Sequence, residues 1–174
     1  MDGEQRASLA RRALAGYAHG PGAPQQATAV ALEKARRAEA LILVEGICDQ
    51  IAIETLAGRY QRNLEAEGIT VLPVGGAQAV TPHLREFGPQ GEHLELAGLC
   101  DADAAETFRR ALITAGVGRP ATEDDMAELG FHVCQRDLEE ELIRAVGPDA
   151  VEAVIESQGD LGSFRTFQKQ PDWR

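Results

Sequence analysis

The segment Leu41-Ile42-Leu43-Val44-Glu45-Gly46 carries the strongest structural signal in this chain, an apolar run that ends abruptly in a carboxylate and a glycine. A second run, Leu99-Cys100-Asp101-Ala102-Asp103, ends in two further carboxylates. Apolar runs of this kind are typical of strands buried in a parallel sheet. Because open α/β sheets bind ligands at the carboxyl ends of their strands, the three acids are predicted to share one crevice. Acids gathered in this way favour a divalent metal ion.

Strand-like and helix-like patterns alternate from residue 40 onward. The predicted strands are 41–45, 69–74, 94–100 and 130–134, and the predicted helices are 49–60, 77–86, 103–115, a short helix ending near 129, 137–146 and 148–158. This alternation predicts an α/β fold with a parallel sheet and helices on both faces. Two further helices are predicted upstream, over 4–15 and 25–38, so we expect an N-terminal helical appendage (1–39) and one α/β domain (40–174).

Composition narrows the class of protein. The chain has 174 residues, of which 44% are hydrophobic, so it can bury a core. No apolar stretch approaches the ~20 residues that span a bilayer, and the N-terminus lacks a signal-peptide core, so we expect a cytoplasmic protein with no membrane partner. Cys48, Cys100 and Cys134 form neither a disulfide framework nor a CxxC zinc pattern. The net charge of −11 argues against gripping nucleic acid by general electrostatics, although bound cations can invert local charge.

Glu45 and Asp49 form the first candidate pair. Gly46 gives the backbone room to turn, and Asp49 follows in the first turn of the next predicted helix, so both carboxylates can face the strand end. A simpler role for Asp49 is to cap that helix or to interact with its dipole. A glutamate that ends an apolar strand must instead be solvated, paired or bound to a metal.

Asp101 and Asp103 form the second candidate pair. In extended backbone, residues two apart point to the same side, so both acids can offer oxygen ligands to Mg²⁺ or Mn²⁺. A lone DxD pattern is also typical of a helix cap beside a solvated acid. The DxD pattern is more significant here because it follows a second strand of the same predicted parallel sheet.

Two later candidates carry weaker signals. In the acidic run 137–141, Asp137 and Glu140 fit a helix capping box, which leaves Glu139 either solvated or pointing into the crevice. Lys169 is one of only two lysines, and it is either a surface cation or a charge that stabilises a phosphate in the transition state. No GxxxxGK[ST], GxSxG or HExxH motif occurs, and Gly75-Gly76 is more typical of a turn than of a phosphate loop.

The order of Val44-Glu45-Gly46, Gly75-Gly76 and Asp101-Ala102-Asp103 within a β/α alternation resembles the TOPRIM domain. Topoisomerases, bacterial primases, recombination-mediator proteins and the overcoming-lysogenization-defect (OLD) nucleases share this domain. The segment 44–49 is most similar to the OLD branch, in which an acid four residues after the first glutamate also serves the metals. Leu138-Glu139 and the late Lys169 resemble further elements of that branch, and the resemblance covers residues 40–170.

The resemblance implies a Rossmann-like TOPRIM fold, with a four-stranded, mainly parallel sheet and a metal site at its carboxyl edge. It implies Mg²⁺-dependent hydrolysis of phosphodiester bonds in DNA, or alternatively RNA, by two Mg²⁺ or Mn²⁺ ions. The metal ligands it implies are Glu45, Asp49, Asp101, Asp103 and the additional Glu139. Lys169 would stabilise charge at the scissile phosphate, completing a catalytic set with Glu45, Asp101 and Asp103.

Several functional alternatives stay open. OLD nucleases usually carry an ATPase domain before the TOPRIM domain, and this sequence has none, so the domain cuts alone, works with an ATPase in trans, or has drifted in activity. A non-catalytic module that binds nucleic acid or serves as a scaffold is the main alternative to a nuclease. Transfer or hydrolysis on a small nucleotide is a third. The amphipathic N-terminal helices are available for a homodimer.

Overall fold

A four-stranded parallel sheet forms the centre of the computed structural model, which describes residues 3–169. The strands are β1 (Ala40–Val44), β2 (Ile69–Pro73), β3 (Glu95–Cys100) and β4 (Phe131–Val133), arranged in the order β2-β1-β3-β4. In register, Ala40 pairs with Ile69 of β2 and with Glu95 of β3, and Gly98 pairs with Phe131 of β4. The predicted α/β class and parallel sheet are confirmed.

The helices that flank this sheet are α2 (Ala23–Ala35), α3 (Ile47–Arg59), α4 (Val80–Phe87), α5 (Ala105–Thr114) and α6 (Glu123–Glu128). The chain also forms α1 (Gly3–Leu14), α7 (Leu138–Val146), α8 (Pro148–Ser157) and α9 (Leu161–Phe167). Single 3₁₀ turns, Ala77–Ala79 and Ala102–Ala104, precede α4 and α5. Helix α9 was not predicted, because the sequence there is polar and carries only two aromatic anchors. No helix in residues 3–169 is long and apolar enough to cross a membrane.

The core lies between the sheet and its helices. Leu41 and Leu43 of the central strand β1 and Leu72 of the neighbouring edge strand β2 are fully buried, as apolar runs without polar alternation predict. The largest fully buried side chains from the other elements are Leu84, Phe87, Phe108, Leu112, Met126 and Phe131. Truncating a buried Phe to Ala typically costs about 3–5 kcal/mol. This packing therefore holds the strand ends in a fixed register.

The described residues divide into two compact units, 17–138 and 3–16 with 139–169. The first contains the whole sheet and α2, whose small buried face (Ala23, Ala27, Ala31 and Ala35) packs against β2 and α3. In the second, α1 packs against α8, and α8 against α9. The two predicted N-terminal helices thus belong to different units. The predicted domain boundary at residues 39 and 40 stays a prediction, and residues 1–2 and 170–174 of those segments lie outside the described residues.

Candidate functional site

Glu45, the residue directly after β1, joins the ends of three neighbouring strands. Its side-chain Oε1 accepts the backbone N–H of Asp101, which follows β3, at 2.9 Å. Its backbone carbonyl accepts the N–H groups of Gly75 and Gly76, which follow β2, at 3.1 and 2.9 Å. The half-buried carboxylate is therefore held at the carboxyl edge of the sheet, in the middle of the predicted crevice.

Asp49 lies at the third position of α3, in the helix's first turn. Its Oδ2 accepts the backbone N–H of Gly46 at 2.8 Å, which satisfies a donor that helix starts otherwise leave open. The capping role considered from the sequence is therefore present. Gly46 itself is extended (φ −141°, ψ 177°), a conformation that any residue adopts. An added Cβ at Gly46 would meet only Asp49 Oδ2, at 3.8 Å.

Asp101 and Asp103 flank the start of the 3₁₀ turn after β3. Asp101 has extended backbone (φ −73°, ψ 160°) and is half-buried, whereas Asp103 is exposed. Between them, the N–H of Ala102 donates to the carbonyl oxygen of Arg136 at 2.8 Å. The segment that follows β4 is thus hydrogen-bonded to the residue between the two acids of the DxD pair.

The pKa of Glu45 responds to the charges of the other three acids. Burial is the largest influence and raises the pKa of the Glu45 carboxyl above its ordinary value. The hydrogen bond from the Asp101 N–H opposes this, while the negative charges of Asp101, Asp103 and Asp49 raise the pKa further. The structure thus places Asp49, Asp101 and Asp103 within electrostatic range of Glu45 at one edge.

The donor chemistry of this edge fits a hard divalent cation, since all four side chains offer carboxylate oxygens. The present side-chain positions do not form a finished coordination sphere. In residues 3–169, no group of three or more His, Cys, Asp or Glu side chains is arranged to hold a metal ion. Glu45 and Asp49 each direct one oxygen at a backbone N–H, and carboxylate oxygens have further lone pairs that remain available to a cation.

The other two predicted residues lie outside the unit that holds these four acids. Glu139 is the second residue of α7 and Lys169 follows α9, and both are exposed. They belong to the compact unit that does not contain the sheet. Their roles as an additional metal ligand and as the phosphate-stabilising cation stay predictions.

Gly75 and Gly76 form a turn and not an open phosphate loop. Their positive φ angles, 81° and 105°, favour glycine, and both N–H groups are already donated to the carbonyl of Glu45. The preference for a turn at this position is supported by these hydrogen bonds.

Sequence reasoning missed two polar features near the site. One is Arg136, whose backbone bonds the DxD segment; its only signal was its place just after a predicted strand. The other is a series of side-chain hydrogen bonds that links Tyr17 to α3. Tyr17 donates its hydroxyl hydrogen to Glu54 Oε2, and Gln50 Nε2 donates to Glu54 Oε1 at 3.0 Å. Gln50, which directly follows Asp49, is buried, and its Oε1 has no hydrogen-bond partner among residues 3–169. No periodicity could have linked Tyr17 to a helix so distant in sequence.

Comparison with known proteins supports this assignment of the edge. Residues 38–103 match the family model for the overcoming-lysogenization-defect-protein-like TOPRIM domain. That match runs from just before β1 to Asp103, so it includes all four acids gathered at the edge. No curated protein gives a significant match to the chain.

Solved structures give the same result. The C-terminal region of the OLD protein of Xanthomonas campestris pv. campestris is 25% identical, with a TM-score of 0.61 over 70% of this chain and 62% of that one. The C-terminal region of the Burkholderia pseudomallei OLD protein is also 25% identical, with a TM-score of 0.60 over 79% of this chain and 76% of that one. The chain thus spans 62% of the first of these structures. The resemblance inferred from the sequence is confirmed: residues 38–103 match the OLD-like TOPRIM domain, and the fold is similar to the C-terminal regions of OLD proteins.

Proposed function

We propose that this protein is a Mg²⁺-dependent nuclease that hydrolyses phosphodiester bonds, with DNA favoured over RNA. The observation that supports this most directly is the convergence of Glu45, Asp49, Asp101 and Asp103 at the ends of β1 and β3. The Glu45–Asp101 hydrogen bond, at 2.9 Å, ties the two acidic segments together. The OLD-like TOPRIM match covers the same residues.

In this proposal, two Mg²⁺ or Mn²⁺ ions are held by Glu45, Asp49, Asp101 and Asp103, with Glu139 as an additional ligand. When bound, such ions supply an activated water and charge stabilisation for the leaving oxygen. Lys169 contributes positive charge at the scissile phosphate.

The charges and hydrogen bonds of this edge favour the binding of cations. Because burial and three neighbouring carboxylates raise the pKa of Glu45, the edge is electrostatically costly when every acid is ionised. A bound cation removes that cost, so the site favours divalent ions over an empty state. The hydrogen bonds of Glu45 and Asp49 hold their side chains in place and limit the rearrangement that binding requires.

The proposed partners follow from this activity. Nucleic acid is the substrate, an ATPase acting in trans is a candidate partner, and a homodimer is a candidate assembly. We place the protein in the cytoplasm, where nucleic acid and millimolar Mg²⁺ are both present.

The deciding experiment is a nuclease assay with Mn²⁺ and with Mg²⁺ on supercoiled, linear and single-stranded DNA and on RNA. We expect cleavage by the wild type, and its loss with EDTA and in Asp101→Ala. Glu95→Gln is the matched control, because Glu95 is an exposed acid that begins β3 at the opposite edge of the sheet. Cleavage that survives both EDTA and Asp101→Ala would refute the proposal.

A non-catalytic module that binds nucleic acid or serves as a scaffold is the second candidate. The backbone hydrogen bonds of Glu45 and Asp49 favour it, because they give these acids a structural role without a metal. It predicts metal-independent binding with no turnover in the same assay. Adding small nucleotides to the substrate panel tests the third candidate, a nucleotidyl transferase or hydrolase.

A further inference from the structure

We propose that Arg136 binds a phosphate of the nucleic-acid backbone beside the acidic edge. The inference rests on the proposed function, since it assigns the residue that receives the substrate there. The pairing of β3 with β4 continues past both strands: Cys134 N–H donates to the Cys100 carbonyl at 2.9 Å, and Ala102 N–H donates to the Arg136 carbonyl at 2.8 Å. Arg136 is therefore fastened to the residue between Asp101 and Asp103.

The guanidinium of Arg136 is available for a ligand. Its side chain is 75% exposed, and its contact with Asp137 is 3.8 Å long, beyond hydrogen-bond distance. Exposed ion pairs of this kind contribute little, so a phosphate can displace or share the contact. Because backbone hydrogen bonds already hold this short segment, ligand binding by its arginine costs less conformational entropy than binding by an arginine on a free loop.

Charge explains why the edge requires such a residue. Carboxylates gathered at one place repel a phosphodiester, so a cation that faces solvent beside them adds to the attraction that bound metal ions provide. Guanidinium groups bind phosphate through two parallel N–H···O bonds. Three other cations of this unit have carboxylate partners elsewhere: Lys34 with Glu65, Arg62 with Glu67, and Arg109 with Glu106.

A competing role for Arg136 is to neutralise the acids without touching the substrate. The two roles differ in their dependence on salt. A direct phosphate contact releases a counterion, so its loss lowers the slope of log K against log salt by about 0.9 for duplex DNA. Loss of a residue that only neutralises the acids leaves the number of phosphate contacts, and hence that slope, unchanged.

The test measures binding of a fluorescent DNA duplex in Ca²⁺ at several salt concentrations, for wild type, Arg136→Gln, Arg136→Lys and Arg37→Gln. Arg37 is the matched control, because it is an exposed arginine just before β1, at the amino edge of the sheet. We expect Arg136→Gln to weaken binding about tenfold and to lower the salt slope by about one. Arg136→Lys should keep the slope with part of the affinity, and Arg37→Gln should match the wild type.

The outcomes separate this inference from the proposed function. An unchanged salt slope in Arg136→Gln, or one that changes equally in Arg37→Gln, overturns the phosphate contact while leaving nuclease activity to its own assay. DNA binding without turnover in the wild type refutes the nuclease and still tests Arg136. Absence of DNA binding by the wild type overturns the inference. Thermal melting of each variant identifies any general loss of folding.

Discussion

The carboxylate of Glu45 accepts the backbone N–H of Asp101 at 2.9 Å, so the acid that ends β1 is bonded to the acid that follows β3. This contact fixes the separation of the two acidic segments without a bound ion. It also leaves Glu45 among three like charges, which makes the folded state sensitive to the protonation of this one group.

Neutralising Glu45 should therefore stabilise the metal-free protein. The pKa of Glu45 is raised in the folded state, so the folded state holds the proton more tightly than the unfolded chain does. The resulting cost is absent below the ordinary pKa of 4.5, and it grows as the pH rises through the folded pKa. We expect Glu45→Gln, which keeps the oxygen that accepts the Asp101 N–H, to melt above the wild type at pH 7.

The advantage of Glu45→Gln should shrink to nothing as the pH approaches 4. Thermal melts in EDTA across this range, with Glu95→Gln as the control, measure it. A variant that is no more stable than the wild type at pH 7 would contradict the electrostatic account.

Divalent cations should stabilise the wild type, because they bind the folded state and remove repulsion between the carboxylates. An ion present at 100 times its Kd adds about 2.7 kcal/mol to the free energy of unfolding. We expect Mg²⁺ to raise the melting temperature, and the rise to shrink in Asp101→Asn combined with Asp103→Asn. A melting temperature that does not change across millimolar Mg²⁺ would count against the site.

The two glycine positions at the edge should respond differently to alanine. Gly76 has φ 105° and ψ 152°, a region that only glycine occupies readily, so Gly76→Ala should cost about 1–3 kcal/mol. Gly46 is extended and has space beside it, so Gly46→Ala should change stability by less than about 0.5 kcal/mol. Chemical denaturation measures both, and equal losses would show that the Gly76 backbone is not constrained.

Removing the hydroxyl of Tyr17 should destabilise the unit that contains the sheet. The hydroxyl donates to Glu54, and burial together with the charge of Glu54 raises the pKa of the phenol, which keeps it a donor at all ordinary pH values. Loss of this hydrogen bond in Tyr17→Phe should cost about 1–3 kcal/mol. Tyr60→Phe is the matched control, because Tyr60 is 73% exposed. Similar denaturation midpoints for the two variants would show that the Glu54 contact contributes nothing.

The three thiols should differ in reactivity. Cys48 is exposed, whereas Cys100 and Cys134 are buried, and burial raises the pKa of the Cys100 thiol to about 12. Because the thiolate is the nucleophile, we expect iodoacetamide to modify Cys48 in the native protein and all three cysteines after denaturation. Peptide mass spectrometry locates the adducts, and rapid native labelling of Cys100 would contradict the buried β3 end.

The sequence was most informative where one physical signal dominated. Buried parallel strands need uninterrupted apolar runs, so β1 and β3 were predictable within a residue or two at each end. Asp49 was placed correctly in the first turn of its helix, because the chain reaches α3 so soon after β1. Order along the chain then sufficed to bring Glu45 and Asp101 to one edge.

Other features depend on contacts that the sequence does not encode locally. Helix α9 has few apolar residues, and its contacts with α8, including the Arg165–Glu152 ion pair at 2.6 Å, are tertiary. The Tyr17–Glu54 hydrogen bond joins residues far apart in the chain. The position of Arg136 is fixed by its backbone carbonyl, a group that any residue type could supply. None of these produces a periodic pattern.

The three-strand junction at Glu45 affects how related chains should be compared. A relative without the proposed nuclease activity would still need a side-chain acceptor for the Asp101 N–H, so Glu45 would be retained for folding alone. Asp103 is exposed, and within residues 3–169 no hydrogen bond holds its side chain. Among relatives that are not selected for the proposed activity, we expect Asp103 to vary first. The identity of the residue at that position is therefore the better marker of whether a relative has the proposed activity.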